Sequence, residues 1–96
     1  MNPEEIARAC DTLHECIDQG PGENPPVFAR SLNSVRIMRA AATWGYPVEI
    51  LTQIEVRLAR WFSPDKWRGA DEGIQSRLEL LDHIARLEDA WERPRA

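Results

Sequence analysis

Ala41-Ala-Thr-Trp-Gly-Tyr-Pro-Val-Glu-Ile-Leu-Thr-Gln-Ile54 reads as the end of one helix, a break, and the start of the next. Gly45 suits the left-handed position that often ends a helix, and Pro47 cannot continue the one before it but is pre-shaped for a first turn. The break is therefore either the turn of a DNA-reading helix-turn-helix or a plain corner between two helices of a bundle. The reading of the rest of the chain depends on which.

Outward from this corner, every other segment carries helical periodicity. Asn2-Pro3-Glu4-Glu5 is a helix start, with a capping side chain, a proline at the first position and acids at the positive end of the dipole. Ile6, Cys10, Leu13 and Ile17 then form one stripe, edged by Ala9 and Cys16, and Gly20 ends it. Gly20-Pro-Gly-Glu-Asn-Pro-Pro26 is the one clear connector. Phe28, Leu32, Val35, Met38 or Arg39, and Ala42 mark the inner face of a second helix. Leu51, Ile54, Leu58 and Trp61, widened by Ile50 and Phe62, mark that of a third. Ser63-Pro64-Asp65-Lys66 starts a single turn through Trp67. A last helix opens at Asp71-Glu72 and is closed by Pro94; Ile74, Leu78 and Leu81 are expected to make its first contacts, and Leu80, Ile84, Leu87 and Trp91 its second. The expectation is one all-α domain spanning 1–96, a compact bundle of four main helices near 3–19, 27–44, 48–62 and 71–92, with a short helical turn near 64–68.

The spacing at the corner partly matches a helix-turn-helix: a small residue at Ala41, the turn glycine at Gly45, and apolar residues at Leu51 and Ile54. The reading face does not match. Val48, Glu49, Thr52 and Gln53 would face the groove, and none is basic. Arg57 and Arg60 come too late on the helix to anchor its start. A DNA-binding regulator using residues 36–57 is therefore the second reading, behind a structural corner.

The net charge of −4 hides a pattern: −5 over residues 1–26, +4 over 27–68 and −3 over 69–96. Either the segments pack with complementary fields, or the middle offers a basic face to an acidic partner. No apolar run approaches the ~20 residues of a membrane span. The acidic start lacks the order of a secretory signal, so a cytoplasmic location is expected and no membrane partner. Eleven of the 12 basic residues are arginine, a bias that hints at a bacterial or phage genome.

Chemistry-bearing motifs are sparse. Cys10 and Cys16 point about 120° apart on one helix, which excludes a disulfide between them. Cys10 and His14 share a face at a zinc-compatible spacing but have no clear third ligand, so no metal and no cofactor are expected. Glu79, Asp82 and His83 lie close along the last helix without forming an oriented dyad; Glu79 and His83 suit a side-chain pair. No glycine-rich phosphate loop or nucleophile elbow is present, so no catalytic residues are assigned and no enzyme is expected.

Trp61 and Trp91 are expected in the core and Trp44 half-buried at the corner. Trp67, between Lys66 and Arg68, either folds back to cap the bundle or anchors a partner. The function expected is non-catalytic binding of another protein, as an adaptor or inhibitor, including an anti-defence inhibitor of the anti-CRISPR type. The expected surface is Arg30, Arg36, Arg39, Arg57, Arg60, Trp67 and Arg68. Self-association as a homodimer is expected through Leu80, Leu87 and Trp91.

Overall fold

A computed structural model describes residues 1–42 and 45–92. Trp44 and Pro94 lie outside the described residues. Four helices, α1 (Pro3–Asp18), α2 (Pro25–Ala41), α3 (Gly45–Trp61) and α4 (Ala70–Glu92), are joined by short connectors, with a 3-10 turn at Pro64–Lys66. Among the described residues there is no strand.

Each helix packs on the next in sequence, and α4 closes the ring against α1. Short connectors make neighbours antiparallel. One end of the bundle thus gathers the C-terminal ends of α1 and α3 with the N-terminal ends of α2 and α4.

Local chemistry sets the ends. Asn2 Oδ1 accepts the Glu5 amide at 2.9 Å, ahead of Pro3. Asn24 caps α2 in the same way through the Val27 amide, so α2 begins at Pro25, two residues earlier than its apolar stripe implies. At the corner, α2 stops at Ala41 and Ala42 is extended. Gly45 opens α3 rather than capping α2, and a methyl group there would meet nothing within 4 Å.

The core is one cluster. α1 supplies Ile6, Cys10, Leu13, Cys16 and Ile17; α3 supplies Ile50, Leu51, Ile54, Leu58 and Trp61, continued by Phe62. In α2 the buried face is Val27, Ser31, Ser34, Val35 and Met38, leaving Phe28 and Leu32 half-buried. Its two serines are buried, and Ser31 Oγ is satisfied by donating to the Phe28 carbonyl at 2.7 Å. Phe28 instead packs on Phe62, centroids 5.4 Å apart.

α4 reverses one expectation. Its inner face is Gly73, Ser76, Leu80, Ile84 and Leu87, with Ala90 buried and Trp91 packed at the edge. Leu80 and Leu87 are fully buried, so they cannot carry the self-association expected of them. Ile74 and Leu78, expected to make the first core contacts, are 63% and 58% exposed.

Candidate functional site

The basic middle of the chain is spent largely inside the molecule. Arg39 reaches from α2 to Glu55 of α3, with its Nε buried and unpartnered. Arg57 Nε lies 3.2 Å from Glu79 of α4, and its Nη1 2.7 Å from Gln53 Oε1. Arg60 donates to Glu72 at 2.6 Å, and Arg30 stands 3.6 Å from Glu15 of α1. Four of the arginines expected to meet a partner thus bridge neighbouring helices. The arginine hydrogen bond, reinforced by the Arg68 amide, holds the Glu72 carboxyl below its ordinary range. A hydrogen bond from Gln75, then the Arg57 charge, does the same for Glu79. Arg36 and the side chain of Arg68 make no ion pair among the described residues.

Trp67 folds back. Its indole Nε1 donates to the Arg60 carbonyl at 2.8 Å, and its ring leans on Trp61 with centroids 5.9 Å apart. Trp61 in turn donates from Nε1 to the Ile17 carbonyl at 3.2 Å. The two indoles tie the 64–68 turn to the ends of α1 and α3. Trp67 is therefore chiefly a cap on the bundle, with one edge left at the surface.

That edge opens onto a groove of about 290 Å³. Trp67, Ala70, Gly73, Ile74 and Leu78 line it, with Pro21 and Trp61 beyond, and Arg77 is the charged residue among them. Arg77 is drawn aside, 2.9 Å from Asp18 of α1. At 100° per residue Ala70, Ile74, Leu78, Leu81 and Ala85 fall on one side of α4 and extend the groove into an apolar stripe four turns long. The sequence contained this stripe, but it looked equivalent to the buried one.

Two larger grooves carry several charged and polar side chains. One, about 510 Å³, runs between α3 and α4 past Val56, Arg60, Lys66, Gln75 and Glu79. The other, about 480 Å³, lies at the start of α3 and holds Tyr46, Glu49, Gln53, His83 and Arg86. His83 Nδ1 is 2.7 Å from the Glu79 carbonyl oxygen, and His83 also acts electrostatically on the Glu79 carboxylate with which it was expected to pair. His14 Nε2 stands 3.8 Å from Glu88. Cys10 and Cys16 are buried free thiols, and among the described residues no three His, Cys, Asp or Glu side chains are placed to hold a metal. No helix is long and apolar enough to cross a membrane among the described residues.

Leu51 and Ile54 sit fully in the core, as a bundle corner and a helix-turn-helix both require. A methyl group at Gly45 would meet nothing within 4 Å. Val48, Glu49, Thr52 and Gln53 lie at the outer side of α3, with Glu49 the one charge among them. Comparison with known proteins gives no match to a family model, a curated protein or a solved structure.

Proposed function

We propose that this protein is a non-catalytic binding module that recognises another protein through the outer stripe of α4 and the exposed edge of Trp67. The observation that carries the reading is the exposure of Ile74 and Leu78, side by side one helical turn apart in an apolar groove. Covering each is worth about 1.5–3 kcal/mol, and nothing within the described chain does so. The arginine pairings support the same surface by elimination, since Arg30, Arg39, Arg57 and Arg60 already have partners within the molecule. An adaptor, or an inhibitor that acts by occlusion, including an anti-defence role in bacteria or phage, fits a small helical protein with such a surface.

The test is site-specific photo-crosslinking in cells that make the full chain. A benzophenone side chain at position 78 should yield a discrete adduct that protease destroys and nuclease does not. The same group at Ala29, exposed on α2, should yield none. No adduct at 78, or one that nuclease removes, overturns the reading.

A further inference from the structure

The groove of about 510 Å³ between α3 and α4 lies on the flank of α4 away from the apolar stripe. Its walls are two helical rows: Val56, Ala59 and Arg60 on α3, and Glu72, Ser76 and Glu79 on α4. Lys66 of the 3-10 turn lines it as well. Both carboxylates in this groove are engaged, and several donors are not. Glu79 accepts from Gln75 on one oxygen and from Arg57 on the other. Glu72 accepts from Arg60 on one oxygen and from the Arg68 amide on the other. Arg57 uses Nε and Nη1, so its Nη2 has no acceptor among the described residues. Arg60 uses Nε and Nη2, so its Nη1 has none either. Lys66 makes no ion pair among the described residues. Ser76 is only 7% exposed, yet its hydroxyl makes no hydrogen bond among the described residues and lines the groove. Arg57, Arg60 and Lys66 face Glu72 and Glu79, so one positive charge is left over.

We propose that this groove binds a small organic anion, a carboxylate or phosphate monoester on a short apolar stem. The head meets Lys66, Ser76 and the free nitrogens of Arg57 and Arg60, and the stem lies on Val56 and Ala59, both exposed. The ion pairs already present favour this. They hold both guanidiniums in place, so an incoming anion finds oriented donors and has no carboxylate to displace. The volume falls within the range of about 300–1,000 Å³ typical of small-molecule sites. This goes beyond protein recognition through the α4 stripe, and each site stands or falls without the other.

The experiment titrates the full chain, labelled with nitrogen-15, with pentanoate, butyl phosphate, inorganic phosphate and pentanol at constant ionic strength set with chloride. The arginine Nε–H signals and the Ser76 amide are followed by NMR. Pentanoate or butyl phosphate should shift Arg57, Arg60 and Ser76 to saturation, about fivefold or more tightly than inorganic phosphate, and the tighter of the two identifies the head group. Lys66→Gln and Ser76→Ala should each weaken that binding about threefold or more. Ser76→Ala should do so with its urea midpoint unchanged or raised, a combination that a merely structural serine would not give. The inference is overturned if neither anion saturates, if pentanol or inorganic phosphate binds as tightly, or if both variants bind as the unaltered protein does.

Discussion

The backbone of Gly73 lies flat against the six-membered ring of Trp67: a methyl group at position 73 would stand 2.6 Å from Cη2 and closer still to Cζ3. A glycine in a helix ordinarily costs about 1 kcal/mol relative to alanine. Here the missing side chain is the seat of the indole, which otherwise could not reach the Arg60 carbonyl. Gly73→Ala is therefore expected to destabilise the protein by about 1–3 kcal/mol despite its gain in helix propensity. Trp67→Ala should cost at least as much. In the Trp67→Ala background, Gly73→Ala should become neutral or stabilising. Urea unfolding of the four proteins measures this coupling, and additive effects would refute it.

Gly45 gives the opposite result. It opens α3, and a methyl group there would meet nothing within 4 Å. Gly45→Ala should leave stability unchanged or raise it by up to about 1 kcal/mol. A large loss would mean that the corner needs its glycine, as a helix-turn-helix turn would.

These two glycines also show what the sequence could and could not reveal. Periodicity located all four helices, because their apolar residues repeat with one period. It put the special glycine at the corner, since Trp-Gly-Tyr-Pro looks like punctuation, and it assigned Gly73 no role. In α4 two apolar stripes about 120° apart score alike on hydrophobicity. Gly73 and Ser76 mark the inward one through their small size, a signal that counting greasy residues discards. The basic middle and acidic ends were visible as net charge. That Arg57 finds Glu79 and Arg60 finds Glu72 depends on the register of α3 on α4, which spacing along one chain does not encode.

Those pairs predict the acid limb of stability. The carboxyls of Glu72 and Glu79 titrate below their ordinary range in the folded protein. The stability they contribute is complete above the unfolded carboxylate pKa of about 4.3 and is lost as pH falls through the lower folded values. Glu72→Gln combined with Glu79→Gln should lower the urea midpoint near neutrality and flatten its fall in acid. An acid limb parallel to that of the unaltered protein would show that other groups control it.

Both thiols should be silent in the folded state. Burial, with Glu88 and Asp11 adding to it, pushes the Cys10 thiol up to about 12, and burial raises Cys16 as well. A disulfide reagent at mildly alkaline pH should label neither until denaturant is added. The folded protein holds the Cys10 proton more tightly than the unfolded chain does. Its share of stability is therefore full below about 9 and declines as pH rises toward about 12. Rapid labelling of the native protein would mean that α1 opens far more readily than its packed stripe implies.

The two stripes of α4 make the sharpest contrast. Leu80 is fully buried and Leu78, two residues earlier, is 58% exposed. Leu80→Ala removes packed methyl groups and should cost about 2–5 kcal/mol. Leu78→Asp places a charge in water and should change stability by no more than about 0.5 kcal/mol, small for a leucine-to-aspartate exchange. Aspartate at 78 should also lower any tendency to associate at high concentration, visible as a sharper monomer boundary in sedimentation. A collapse of stability on Leu78→Asp would mean that the outer stripe is part of the folding core and would leave α4 no free face for a partner.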